Sequence, residues 1–205
     1  MDQATTGVPD ESPFHRGELE LQTRAGSRES LASFAGRAIR DFLPEQHRQF
    51  YEQLPFIVVG SVDEQGNPWA SVLSGRPGFI RSPDPTQLQI RASALPEDPL
   101  AGSLEAGKRL GLLGLEPSSR RRNRVNTRVV QASDSGLSLK VDQSFGNCPQ
   151  YIQRRTIDFI REPGTQGPDH HAESLHSLDT EASALIARAD TFFVSSHVDV
   201  VDRPD

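Results

Sequence analysis

The chain has 205 residues and a formal net charge of -6, enough length for one domain with a real core plus tails. The acidic balance argues against general nucleic-acid binding, which needs a broad basic surface. The single cysteine, Cys148, excludes an intrachain disulfide, and no apolar run reaches the length of a membrane span, so a soluble cytoplasmic protein without nucleic-acid or membrane partners is expected.

Residues 1–13 are polar and acidic, with no signal-peptide apolar segment, and read as a disordered tail. From Ser30 to Leu54 the pattern is mainly helical: Leu31, Phe34, Ala35, Ala38, Ile39 and Phe42 recur at helical spacing. Pro44 interrupts it, and Glu45 to Leu54 forms a second short helix. Pro55 to Val62 is a short apolar, β-branched run, read as a buried strand. A turn at Asp63–Asn67 and a returning strand from Trp69 to Leu73 complete a hairpin.

Gly75-Arg76-Pro77-Gly78 is a turn, since no Gly-Lys-Ser/Thr follows to make a phosphate loop. Leu88 to Ala92 alternates as a third strand. Asp98 to Ala106 reads as a short helix, with Asp98 as cap and Pro99 in the first turn. Arg109 to Leu115 is a fourth strand, the arginine-rich run to Ala132 a fifth, and Leu137 to Gln143 a sixth. Asn147 caps a helix expected to run to about Ile160. Residues 163–179 are a linker rich in Gly and Pro, and 180–205 hold a short amphipathic helix and a partial strand at Thr191–Ser196. Strands dominate from 55 to 145. The fold class is therefore mainly β (α+β): a six-stranded antiparallel barrel with flanking helices.

Five arginines fall between Arg120 and Arg128. Read with period 2, Arg122, Arg124, Asn126 and Arg128 share one face of a strand, and Val125, Thr127 and Val129 share the other. One face suits a core and the other an anion, because the planar guanidinium grips phosphate with two hydrogen bonds. The alternative is a solvated strand, or one paired with acids of the N-terminal helices. Cys148 at a helix start gives a reactive thiolate or a small buried hydrophobe. Tyr151 is a core residue or a stacking group, and His15 and Trp69 are equally open. His170, His171 and His176 sit in the linker with no cysteine nearby, so no metal site is expected.

Four blocks stand in order: Phe14 to Leu19, Pro68 to Gly75, Arg120 to Asn126, and Gln143 to Ile152 with its Phe-Gly-Asn-Cys-Pro run. Together they resemble the pyridoxamine 5′-phosphate oxidase-like family, the flavin-binding split β-barrels, and within it a bacterial branch carrying that run. The resemblance implies that residues 14–162 form a split-barrel domain with N-terminal helices. It implies a homodimer binding FMN at the subunit interface, with FAD, F420 or haem as the alternatives found among relatives.

By position, Ser71, Val72, Leu73 and Ser74 would line the flavin through backbone and hydroxyl groups. Arg91, Ala92 and Ser93 sit where the third strand of the family meets the cofactor, and Arg122 and Arg124 match its polar contacts. The oxidases proper carry an arginine and a lysine where this chain has Ala70, Ser71, Ser74 and Gly75. They also carry a Ser-Arg-Lys grip where it has Asp98-Pro99-Leu100. Phosphate would then fall to Arg122, Arg124 and Arg91, and pyridoxamine phosphate is not the expected substrate. The implied activity is a flavin-dependent oxidoreductase acting on a small organic substrate, with a nicotinamide or a ferredoxin-reductase-type partner as donor. No catalytic side chain is assigned. A non-catalytic flavin-binding or sensing module is the alternative.

Overall fold

The sheet of the computed structural model, which describes residues 14–95, 97–165, 173 and 175–198, is antiparallel throughout. Its strands are β1 (Phe56–Val62), β2 (Pro68–Ser74), β3 (Ile80–Arg81), β4 (Gln87–Ile90), β5 (Arg109–Glu116), β6 (Arg121–Ser133) and β7 (Gly136–Gly146). They lie in the order β2-β1-β5-β6-β7-β4-β3. The end strands β2 and β3 do not pair with each other, so the barrel is split. Seven strands replace the expected six, because the two-residue β3 folds back on β4.

Period-2 alternation builds the wall. Ile57 and Val59, Leu110 and Leu112, Val125 and Val129, and Leu137, Leu139 and Val141 all point inward and form one core. Helix α3 (Glu45–Glu52) closes it with Phe50 and Tyr51, fully buried and edge to face at 5.4 Å. Burial pushes the Tyr51 phenol pKa up. Gly114 is the residue that lets α3 approach: a Cβ there would lie 2.6 Å from Tyr51 Cε1 and 2.8 Å from Phe50 Cε1.

Two compact units result. One contains α1 (Arg16–Arg24) and α2 (Arg28–Ala38); the other runs from Asp41 to His197 and contains the barrel, α3 and α4 (Thr180–Arg188). Helix α1 was not expected, although its signal is a capping box in which His15 Nδ1 accepts from Gly17 N–H and Glu18 accepts from His15 N–H. The preceding residues 1–13 lie outside the described residues.

Four expectations are corrected. The helical pattern does not continue to Phe42, because the barrel takes up that backbone: Leu43 N–H donates to Pro85 O at 2.7 Å and Phe42 O accepts from Ser144 Oγ at 2.6 Å. The Asp98-capped helix is only a 3-10 turn, Pro99–Ser103. No helix follows Asn147. Arg122 and Arg120 donate to the carbonyls of Cys148 and Pro149, Pro149 O also accepts from Ile152 N–H in a single turn, and Tyr151 in that turn adopts φ 68°, which a helix cannot continue through. Thr191–Ser196 joins no sheet and has no regular secondary structure. Among the described residues no helix is long and apolar enough to cross a membrane.

Candidate functional site

β6 behaves as its alternation requires. Asn123, Val125, Thr127 and Val129 are buried, while Arg124, Asn126 and Arg128 are exposed and Arg122 half-buried on the outward face. Cross-strand register then fixes what stands beside them. One outward row reads Val72, Val58, Leu113, Arg124 and Phe145 across five strands. The next reads Ala70, Gly60, Gly111, Asn126 and Gln143. Leu115 lies opposite Arg122. The result is an apolar floor over β2, β1 and β5 that ends in guanidinium groups on β6, three strand spacings or roughly 14 Å away.

The arginine run divides its labour. Arg120 donates to Pro149 O at 3.3 Å and Arg122 to Cys148 O at 3.0 Å, so both hold the loop after β7. Arg121 caps the Phe50 ring at 5.0 Å. Arg128 pairs with Asp142 at 3.0 Å. Arg124 forms no ion pair among the described residues. Partial burial, and then the neighbouring Arg122 charge, lowers the Arg124 pKa below its ordinary value.

Two polar atoms here are left unmet. Arg122 Nε and Asn147 Oδ1 are buried without a hydrogen-bond partner, and Asn147 N–H donates to Arg122 O at 3.1 Å, so the two residues are neighbours. A buried donor and a buried acceptor thus lie beside an unpaired cation. Asn147 was expected to be a helix cap. Only the fold reveals its position, because it depends on the pairing of its backbone with Arg122, twenty-five residues earlier in the chain.

The other expected site residues are placed as follows. On β2, Val72 and Ser74 face outward with the arginines, whereas Ser71 and Leu73 face the core. Ser71 Oγ donates to Asp98 Oδ1 at 2.6 Å. Only the backbone of Ser71 and Leu73 can therefore reach an outward ligand, and β2 is an end strand with no partner along one edge. Arg91, Ala92 and Ser93 follow β4, far along the sheet order from β2. Arg91 donates to Gly78 O at 2.8 Å and Ser93 to Asp134 O at 2.6 Å. The register brings Val72, Ser74, Arg122 and Arg124 to one face and does not bring Arg91 to Ser93 onto it.

Cys148 is exposed and free, with no helix dipole behind it. Tyr151 is 90% exposed, which excludes the core reading. Trp69 is half-exposed and donates from Nε1 to Asp63 at 2.8 Å, so it belongs to the hairpin turn. The Arg76 turn clamps the segment after the loop: Arg76 pairs with Glu162 and lies 4.9 Å over the Phe159 ring.

The family model described as pyridoxamine 5′-phosphate oxidase matches residues 43–162. None of the curated proteins matches the chain. Among solved structures, a HupZ variant from Group A Streptococcus aligns with TM-score 0.40 and 10% identity, over 51% of this chain and 99% of that one. An F420 reductase aligns with TM-score 0.36 and 11% identity, over 51% of this chain and 98% of that one.

Proposed function

Because the chain belongs to the pyridoxamine 5′-phosphate oxidase family, we propose that it binds FMN on the outward face of β2, β1, β5 and β6. The observation that carries this reading is the pair Arg122 and Arg124, cationic and without an acid partner, at the edge of an apolar floor. A phosphate monoester supplies the missing negative charge, through charge-assisted hydrogen bonds stronger than neutral ones. Asn147 Oδ1, buried without a donor, would be the acceptor available to a hydroxyl of the bound cofactor. Val58, Val72 and Leu113 offer a surface for a flat aromatic ring. The residues present fit the cofactor at both ends, with the side chains of Ser71, Leu73, Arg91 and Ser93 engaged elsewhere.

Bound FMN supplies two-electron redox chemistry. The chain binds and orients it, and Arg122 and Arg124 set a positive field beside it. The reading extends to a homodimer, in which a second copy covers the open face and excludes water. It also extends to an oxidoreductase that passes electrons from a nicotinamide or a partner reductase to a small organic acceptor.

A second reading, a flavin store or sensor, rests on a specific feature. The outward positions of β2, β1, β5 and β6 carry no Asp, Glu, His or Tyr that could move a proton near neutral pH. Turnover with NADH or NADPH separates the two.

The test of cofactor binding is a titration with FMN followed by absorption and fluorescence, with FAD, F420 and haem in parallel. Saturable binding of FMN is expected, with loss of affinity in the Arg122→Ala/Arg124→Ala double variant. Unchanged affinity in that variant removes the site.

A further inference from the structure

The flavin reading uses two rows of the outward face, that of Leu115 and Arg122 and that of Val72, Val58, Leu113 and Arg124. The next row, Ala70, Gly60, Gly111 and Asn126, lies two residues further along the strands, roughly 7 Å away. Gly60 and Gly111 stand directly opposite each other, so the middle of this row is a shelf of bare backbone. The apolar floor therefore lies between the Arg122 row and this shelf.

Two polar atoms stand over the shelf. A Cβ built on Gly60 would lie 2.9 Å from Ser195 Oγ, so the missing side chain makes room for that hydroxyl. A Cβ built on Gly111 would lie 3.8 Å from Asn126 Oδ1. Asn126 Nδ2 donates to Gln143 Oε1 at 2.9 Å. That bond turns the amide nitrogen toward β7 and leaves the amide oxygen toward Gly111 on β5. A hydroxyl both donates and accepts, and an amide oxygen accepts two hydrogen bonds. The shelf thus presents a donor over β1 and an acceptor over β5, on neighbouring strands.

A flat ring lying on Val58 and Leu113 would meet the shelf with one edge. The flavin ring has one edge of matching character, the imide, in which an N–H stands between two carbonyl groups. Its opposite end is a methylated benzene ring with neither donor nor acceptor.

We propose that Ser195 and Asn126 read the imide edge of the bound ring, with Asn126 Oδ1 accepting from its N–H and Ser195 Oγ donating to a neighbouring carbonyl. This rests on the flavin reading and adds what selects the cofactor. A flat ring without an imide leaves both polar groups covered and unanswered, which costs more than a neutral contact gains. Ser195 has a second effect. A hydrogen bond to a ring carbonyl strengthens when reduction places negative charge on the ring, so the hydroxyl makes the bound flavin easier to reduce.

The experiment uses the full chain and two probes, FMN and its imide-N-methyl analogue, in which a methyl group replaces the imide hydrogen. Affinity for both is measured in the native chain, Asn126→Ala, Ser195→Ala, Ser195→Thr and Arg124→Ala. The reduction potential of bound FMN is measured in the native chain and in both Ser195 variants. The native chain is expected to prefer FMN about tenfold, and Asn126→Ala to lose that preference. Ser195→Ala is expected to bind FMN about threefold more weakly and to hold it at a lower potential. Ser195→Thr, which keeps the hydroxyl, is expected to restore both. The preference is a ratio within one variant, so a partly unfolded sample does not imitate its loss.

Equal affinity of the native chain for the two probes overturns the imide contact, as does a preference that survives in Asn126→Ala. An unchanged potential in Ser195→Ala overturns the role of that hydroxyl. In each of these cases weaker FMN binding by Arg124→Ala leaves the flavin reading standing. If the native chain binds neither probe, the flavin reading fails and the shelf fails with it.

Discussion

Arg122 donates from Nη2 to the carbonyl oxygen of Cys148 at 3.0 Å, so one guanidinium both fixes the loop after β7 and borders the cofactor face. Arg124, one outward position further along β6, has no such structural duty among the described residues. The two arginines should therefore fail differently when removed.

Arg124→Ala is expected to weaken FMN binding by about 1.5–3 kcal/mol, the range for a charged hydrogen bond, while shifting stability by less than about 0.5 kcal/mol. Arg122→Ala should weaken binding by a similar amount and also lower the melting temperature. Fluorescence titration and thermal melts of both variants check this. Wild-type affinity in Arg124→Ala would place that cation outside the site.

Ser71 and Asp98 separate structure from binding in the same way. Asp98 Oδ1 accepts from both Ser71 Oγ at 2.6 Å and Leu100 N–H at 2.8 Å. Asp98→Ala removes the cap and strands a buried hydroxyl, at an expected cost of about 1–3 kcal/mol in urea unfolding. Ser71→Ala is expected to destabilise too, yet to leave FMN affinity unchanged, because its hydroxyl faces away from the cofactor. A large loss of affinity in Ser71→Ala would show that β2 turns the other way.

Asp63 titrates low. Hydrogen bonds from the Trp69 indole, from the Asn67 side chain and from the Asn67 and Gln65 N–H groups bring its carboxyl pKa from 3.8 to about 2. A depressed carboxylate stabilises the folded state above the unfolded pKa of 3.8, and that contribution disappears as pH falls through about 2. Trp69 is the only tryptophan, so its fluorescence should report the hairpin turn. The expected signal change has a midpoint near pH 2 and is absent in Asp63→Asn. A carboxyl resonance that titrates near 4 by NMR would mean the turn bonds are not kept in solution.

Two glycines of β5 make a matched pair. Gly114→Ala drives a methyl into Tyr51, Phe50 and Leu54, whereas a Cβ at Gly111 meets only Asn126 Oδ1 at 3.8 Å. Overpacking is expected to cost about 1–3 kcal/mol at Gly114 and far less at Gly111, measured by urea unfolding. Equal losses at both positions would refute the packing of α3 on the barrel.

What was legible in the sequence follows a physical division. The strands expected at 55–62, at 69–73, at 109–115 and along the arginine run to 132 rest on local apolar patterning, and the structure has strands at all four. The outward arginines and the inward valines of β6 were readable for the same reason. The helix after Asn147 was not, because its cap and proline are good local signals overridden by Arg120 and Arg122, twenty-six or more residues away in the chain. Ser71 and Leu73 were assigned by position within a resemblance, and only the register with β1 reveals that they face inward. The pairing of Arg128 with Asp142 and the meeting of Ser195 with Gly60 depend on tertiary placement that no short window contains.

The irregular step in the β6–β7 ladder has its own effect. Asn126 stands opposite Gln143 but Thr127 stands opposite Val141, so Asp142 is an extra residue, and Arg128 faces Lys140. Arg109 on β5 flanks Arg128 as well, so three like charges would stand side by side without that carboxylate; with it, Arg128 is paired at 3.0 Å. One carboxylate thus sits among three cations at that end of the ribbon, whereas Arg124 stands between Leu113 and Phe145. Under the flavin proposal, an anion at Arg128 would compete with Asp142, while Arg124 has no paired carboxylate among the described residues.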